Sequence, residues 1–449
     1  MLRDLIGNEF YETLEKSASV ILSQDFVRIL AHYDGDGGSA AIILANALKR
    51  KSIRFHIGYI KNLEANSFRE RILEYPKTWT IIVDAGSDQA RYIGDLDNIL
   101  ILDHHFYVKS DIKPTNINVR DYGIDGTREA CGATMAFLFA LAIDETNSDL
   151  LPFMMSGAIA DKQDIGGFRG LNKNLISHYG QNLNTIRTVS VTGQTLSEAI
   201  TYSTDPFFLD LSGKPENVDA FLRQLGIEPG KSTKDLSEEE RRLLVSALSL
   251  QLLSQNAGIE AIKYLESDLA FFDGLGFTSK DLSSIIDGNS KIGANSIPLA
   301  YFIGDHSLRE EMISNWRIFK TKLVDYIYRT YKEIYEEEHI RYFYAPESEM
   351  AGAIGGVLML YLLRQDKPLI GFNVGTHDTK VSARGPRRLI GKGLNLSDVM
   401  KEASTAVGGS GGGHDIAAGA VIPRGKEKQF VEFADRLVAT QLGLIKVSQ

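Results

Sequence analysis

Three short apolar runs early in the chain each stop on a side chain able to bind a metal ion, and this pattern constrains the fold more than any other. Phe26 to Ala31 runs into His32-Tyr33-Asp34-Gly35-Asp36-Gly37, Thr80 to Val83 into Asp84, and Ile99 to Leu102 into Asp103-His104-His105. Sequence of helical period lies between the runs, beginning with SAAIILANALKR at Ser39. Short apolar runs alternating with helices predict an α/β domain built on a mostly parallel sheet. Ligands bind at the carboxyl ends of the strands in such sheets. The polar residues that end the runs are therefore expected to converge.

The chain has 449 residues, too many for one ordinary core, so two or three domains are expected. Acidic helix starts replace the strand pattern from about residue 185 to 340. Ser237 with Glu240 forms a capping box ahead of Leu244, Leu248 and Leu252. Leu308 to Ile340 reads as one long helix, with Trp316, Phe319, Leu323, Ile327, Tyr331 and Ile334 along a core-facing side. Beyond residue 342 the α/β pattern returns. PLIGFNVG and HDTKVSARG read as paired strands, NLSDVMKEASTAV as a helix, then a glycine loop and AAGAVIP as a last strand. The expected division is 1–185, a mainly helical insert over 186–341, and a smaller α/β domain over 342–449.

Charge and cysteine content remove several classes. Lys and Arg number 49 and Asp and Glu 58, a net charge of −9, so no global positive field exists to hold duplex DNA. Any nucleic acid must be held by a local basic groove or through cations. The single cysteine, Cys131, excludes an internal disulfide and a multi-cysteine zinc site. No run approaches a membrane span, and the N-terminus lacks the apolar core of a signal peptide, so a cytoplasmic chain with no membrane partner is expected.

Each polar cluster has an ordinary alternative. HYDGDG could be a solvated turn, its glycines allowing a tight bend, although side chains at alternate positions of a strand end would put His32, Asp34 and Asp36 on one side. Asp84 alone could be a loop acid. Asp161, in GAIADKQD, could close a helix, with Asp164 as competitor. Adjacent His104 and His105 after a buried strand are harder to dismiss, because burying both would require several hydrogen-bond partners. Together the four segments hold more ligands than one divalent ion needs and suit a pair of Mn²⁺ or Mg²⁺ ions. Such a pair activates water for in-line attack at phosphorus.

In the C-terminal part, Gly408-Gly409-Ser410-Gly411-Gly412-Gly413-His414 is not a dinucleotide fingerprint, since a helix and not a strand precedes it. Dense glycine lets backbone N–H groups approach phosphate oxygens, and His414 could add a donor. Lys380, Ser382, Arg384, Arg387, Arg388 and Lys392 form the one dense basic stretch, for which a solvated face is the plain alternative.

At this point the sequence resembles the DHH phosphoesterases through HYDGDG, IIVDAGS, LDHH and GAIAD, in that order, and the last 105 residues resemble the associated DHHA1 domain through KVSARG and GGSGGGH. The resemblance implies an α/β fold with the active site in a cleft between the two domains. It implies His32, Asp34 and Asp84 around one ion and Asp36, Asp84, His104 and Asp161 around the other, with Asp84 as bridge. It places His105 at the scissile phosphate and Asp103 behind it as support. Ser382, Arg384, Gly412, Gly413 and His414 would bind substrate phosphates. The large insert resembles archaeal RecJ-like nucleases and implies a Mn²⁺- or Mg²⁺-dependent exonuclease that cuts single-stranded DNA or RNA to mononucleotides, in repair or replication. Two alternatives are a nanoRNase or cyclic-dinucleotide phosphodiesterase, and a replisome scaffold that binds GINS-like replication proteins or a helicase.

Overall fold

The computed structural model describes residues 2–61, 65–347 and 350–444. They fall into two compact units, Met1–Arg187 with Asp268–Phe319, and Thr188–Ser267 with Lys320–Gln449. The stretch expected as a separate insert is therefore shared between the two.

The first unit is built on five strands, β1 (Phe26–His32), β2 (Arg54–Ile60), β3 (Thr80–Val83), β4 (Ile99–Asp103) and β5 (Thr115–Asn118). They lie in the order β2-β1-β3-β4-β5 and every neighbouring pair is parallel. The central strands β3 and β4 are buried along their whole length because both sheet faces are covered there. On one face Leu30, Ile82 and Ile101 pack with Phe68 and Ile72 of the helix Ala65–Leu73. The helices Gly35–Arg50, Gly132–Ile143 and Leu151–Ala160 pack on one another, and the first two on the sheet. Gly132–Ile143 is apolar all round, and every residue but Ala142 is buried. From β1 the chain goes to β2 on one side and then to β3 on the other. The order thus reverses between β1 and β3, the topological switch point at which α/β sheets open a crevice.

The HYDGDG segment differs from its expected form. The chain does not stay extended through Asp36; the helix begins at Gly35, with Asp34 as its N-cap accepting from the Gly37 amide at 3.2 Å. A capping carboxylate satisfies an amide that the first helical turn would leave orphaned, and this wins over strand extension. Nor do the glycines bend the chain, since none of the three has a positive φ. They permit close approach. A Cβ at Gly37 would lie 2.1 Å from the His32 carbonyl oxygen, one at Gly35 2.8 Å from the Asp287 Cβ, and one at Gly38 3.0 Å from Ile286. Asp287 and Ile286 belong to the helix Ser279–Lys291, so part of the 268–319 segment seats directly on this helix start.

The 186–341 stretch is not purely helical. β6 (Asn184–Val189), β7 (Glu266–Phe272) and β8 (Phe277–Thr278) make a three-stranded sheet. The capping box at Ser237 and Glu240 forms as read, and Leu244, Leu248 and Leu252 are fully buried. The long helix spans Arg309–Lys332, short of Ile340, because Tyr335–Glu336 pairs as a strand instead.

The second unit carries a six-stranded sheet of β9 (Tyr335–Glu336), β10 (Arg341–Tyr344), β11 (Leu369–Val374), β12 (Asp378–Arg384), β13 (Ser410–Gly413) and β14 (Ala417–Pro423), ordered β13-β14-β12-β11-β10-β9. Only β10 and β11 pair in parallel. Ile340, Phe372, Val381, Leu396, Met400 and Phe430 are among its core, with the helices Leu396–Ala406 and Glu427–Gln441 covering the sheet. The glycine run read as a loop is an edge strand. A Cβ at Gly409 would meet the Val421 carbonyl oxygen at 2.2 Å, and one at Gly411 the Ala420 Cβ at 2.8 Å, so bare backbone is what lets β13 lie against β14. Among the described residues no helix is long and apolar enough to cross a membrane.

Candidate metal centre

The carboxyl ends of β1, β3 and β4 are neighbours, and they bring His32, Asp84 and the Asp103-His104-His105 run together. Asp36 enters from the first turn of Gly35–Arg50, and Asp161 closes the helix Leu151–Ala160 as its C-cap. Ligand atoms gather in three groups, each within 4.8 Å of one another: two are His32, Asp34 and Asp84, and Asp36, His104 and Asp161, and the third, Asp84, Asp103, His104 and His105, adjoins both. Asp84 also lies 3.1 Å from His104 through its Oδ1, while its Oδ2 is 3.7 Å from His32, so one carboxylate faces both groups. Its backbone has φ of +60°, a left-handed conformation uncommon outside glycine, and its amide donates a hydrogen bond to the Leu102 carbonyl. Asp161 joins the cluster; Asp164, its competitor in sequence, is in none of these groups.

The remaining contacts prepare the ligands. His104 Nδ1 lies 2.6 Å from the Gly126 carbonyl oxygen, which makes it the N–H donor and turns Nε2 toward Asp84 and, at 3.9 Å, Asp36. This is the second contact that a metal-binding imidazole ordinarily makes. His32 Nδ1 is buried without a hydrogen bond although the Asp34 carboxylate is 3.0 Å away, so a cation between them would give both a proper partner. The Asp36 carboxylate accepts from the Gly132 and Ala133 amides at 2.6 and 2.8 Å, at the positive end of a buried helix. Oxygen and imidazole donors in this proportion suit Mn²⁺ or Mg²⁺. The residues present fit a pair of such ions.

Asp103 has a different place. Its Oδ2 accepts from the Ser87 amide at 2.9 Å, and its Oδ1 from the His104 amide, the His105 amide and His105 Nδ1 at 2.8, 3.2 and 2.8 Å. The carboxylate is spent on holding the DHH turn, even though it lies within reach of Asp84, His104 and His105. His105 is turned so that Nδ1 is satisfied and its side chain is about half exposed, 53%.

Electrostatics show how far this cluster departs from balance. Burial, reinforced by Asp84 and Asp161, pushes the Asp36 carboxyl well above its ordinary range. Burial also raises Asp161, to about 6, against the pull of His104 and with help from Asp84. Asp84 goes the other way: burial would raise it, but the neighbouring imidazoles of His104 and His32 hold it down. Burial opposes charge on His32, yet Asp34 and Asp84 hold its imidazolium up to about 11. Converging carboxylates thus borrow positive charge from histidines, a position that divalent cations would relieve.

Sequence reading missed the residues that make room and those that brace. Gly132 and Gly157 are required by the site: a Cβ on the first would lie 2.3 Å from the Asp84 Cβ, and one on the second 2.4 Å from Asp36 Oδ1. Gly126 would meet the His104 carbonyl oxygen at 2.0 Å. Asn118 donates to the His105 carbonyl and Arg120 to that of His104, each at 2.9 Å. Only the polar alternation of TNIN after the DHH run hinted at β5's role.

In the second unit, Ser382 sits on β12 opposite Gly371 of β11 and Gly419 of β14, and Gly419 lies opposite Gly412 of β13. One row across four strands is therefore glycine, glycine, serine, glycine, and a Cβ at Gly412 would meet nothing within 4 Å. Arg384, two residues on, points to the same face. A Cβ at Gly352 would lie 3.2 Å from its Nη2 and 3.7 Å from Ser382 Oγ. Burial lowers the Arg384 pKa, and among the described residues no carboxylate pairs with it. Gly413 and His414 are exposed at the β13–β14 turn, where the His414 amide donates to the Ala417 carbonyl. Arg387, Arg388 and Lys392 are exposed, as a solvated basic face would be.

The DHH family, N-terminal domain, matches residues 26–158, and the DHHA1 domain matches residues 339–440. The chain therefore carries a DHH domain followed by a DHHA1 domain. An uncharacterized protein of Methanocaldococcus jannaschii is 29% identical to it, with 93% of this chain and 94% of that protein covered. Among solved structures, RecJ of Thermus thermophilus in complex with Mn²⁺ matches with a TM-score of 0.60 at 14% identity, covering 97% of this chain and 55% of that one. CDC45 of Entamoeba histolytica matches with a TM-score of 0.61 at 11% identity, covering 96% and 99%. The fold is RecJ-like, and this chain spans just over half the length of the Thermus protein.

Proposed function

We propose that this chain is a divalent-cation-dependent exonuclease that hydrolyses phosphodiester bonds in single-stranded DNA or RNA, releasing mononucleotides. The observation that carries the reading is the pair of ligand groups, His32 with Asp34 and Asp36 with His104 and Asp161, that the Asp84 carboxylate faces with its two oxygens. His32, Asp34 and Asp84 would hold one Mn²⁺ or Mg²⁺ ion, and Asp36, Asp84, His104 and Asp161 the other. When bound, such ions supply an activated water and neutralise charge on the phosphoryl group. The chain's own part is positioning and proton handling. Asp103 holds His105 Nδ1, so Nε2 is the atom left to give a proton to the substrate, and Asp103 outweighs burial to raise the pKa of that imidazole. Ser382 and the Arg384 guanidinium, which has no carboxylate partner among the described residues, suit phosphate oxygens of the strand, with the open backbone at Gly412 and with Gly413 and His414 at its far side. Phe106, next to His105 and 74% exposed, offers a ring on which a base can stack.

A scaffold role with GINS-like or helicase partners finds support in the fold likeness to CDC45, but a scaffold has no need of so complete a ligand set. A nanoRNase or cyclic-dinucleotide phosphodiesterase would use the same centre on a shorter substrate. Products from end-labelled single strands, duplexes and dinucleotides, with Mn²⁺, Mg²⁺ or chelator, test the proposal. Metal-dependent mononucleotide release from single strands supports it. Cleavage of dinucleotides alone selects the nanoRNase reading, and no cleavage of any substrate with metal bound overturns both.

A further inference from the structure

Gln163 is buried two residues beyond Asp161, and its side-chain amide reaches toward two of the ligands at once. Nε2 donates to Asp161 Oδ2 at 2.7 Å and lies 2.9 and 3.2 Å from the Ala130 and Gly126 carbonyl oxygens. The Gly126 carbonyl is the same acceptor that fixes His104 Nδ1. On its other side, Gln163 Oε1 accepts from Asn172 Nδ2 at 2.7 Å, and Asn172 Oδ1 accepts from Thr134 Oγ1 at 2.6 Å. Asn172 and Thr134 are both fully buried. Thr134 in turn accepts from the Cys131 amide at 3.1 Å, at the start of the helix whose next two amides hold Asp36.

Direction is built into this chain. An amide presents donors on one side and an acceptor on the other, and it neither ionises nor competes with carboxylates for a cation at neutral pH. Because Asn172 donates to Oε1, the amide cannot flip, and Nε2 must face Asp161. One Asp161 oxygen is thereby occupied while the carboxylate stays within reach of His104 and Asp36. None of these contacts reaches His32 or Asp34.

Resting on the two-ion reading, we propose that Gln163, locked by Asn172, is a positioning residue for the second cation position alone, the one formed by Asp36, Asp84, His104 and Asp161. Gln163→Met keeps length and volume and removes every hydrogen bond. Mn²⁺ titration of the full chain, followed by the electron paramagnetic resonance of free Mn²⁺, reads the two positions separately from activity. Wild type should take up two ions. In Gln163→Met one should bind as before and the other roughly 10–100-fold more weakly, the range seen when such supporting partners are removed. Asn172→Ala, which leaves Gln163 in place but unlocked, should weaken the same ion less, and it serves if Gln163→Met does not fold. Equal weakening of both ions, or unchanged binding of both in the folded variants, overturns the proposal. Wild-type uptake of fewer than two ions instead overturns the two-ion reading on which it rests.

Discussion

Asp103, Asp161 and Asp84 are all acids at the ends of buried segments, yet their partners give them different work. Asp103 has its oxygens filled by N–H donors, so Asp103→Asn turns an N–H₂ group against them and loosens His105. Activity is expected to fall roughly 10–100-fold with both ions still bound; kinetics beside Mn²⁺ titration checks it, and loss of an ion would show Asp103 to be a ligand. Asp161 has a pKa of about 6 against an ordinary 3.8. Between those values the folded chain binds the proton that the unfolded chain has released, so ion-free stability falls as pH rises through that window. A cation removes that penalty and competes with the proton. Thermal stabilisation by Mn²⁺ should therefore be larger at about pH 7.5 than at about pH 5. Melting curves giving the same shift at both would contradict it.

At the scale of elements, the helix Gly35–Arg50 shows how metal ligands and packing share residues. Its glycines hold open the seat of Ser279–Lys291, where a Cβ on Gly35 would lie 2.8 Å from the Asp287 Cβ and 2.9 Å from the Ala160 Cβ. Gly35→Val is expected to cost about 1–3 kcal/mol from overpacking, read by urea denaturation, and an unchanged midpoint would show that the seat can yield. The strands were legible because an apolar run with a polar stop depends only on neighbours in sequence; β3 has the predicted ends, and β1 and β4 exceed theirs by one residue. Asp34 as N-cap was not, because capping competed with a strand reading that fitted the same letters. Gly126, Gly132 and Gly157 were illegible for another reason. Their need arises from His104, Asp84 and Asp36 pressing against them across the fold, which no local pattern records. The glycine run at β13 reads as a loop by propensity and becomes a strand only through its pairing with β14.

At the scale of the molecule, an acidic chain must bind a polyanion by a few placed groups and by cations. With a net charge of −9 and a short basic set around Arg384, few counterions are released on binding. The logarithm of single-strand affinity against that of salt should fall with a slope no steeper than about −2, corresponding to roughly two or three phosphates at about −0.7 each. Fluorescence anisotropy across salt concentrations measures it; a much steeper slope would mean a larger basic track than the one around Arg384. The insert expected between two domains contributes 268–319 to the unit that holds the candidate metal centre, and its helix Ser279–Lys291 packs against Gly35 and Gly38 beside that site. The most direct test of the whole account is Mn²⁺ stoichiometry in wild type and Asp84→Ala. Two ions per wild-type chain, with both affinities lost together in the folded variant, is the predicted result. One ion in wild type, or two retained without Asp84, would contradict a shared two-ion centre.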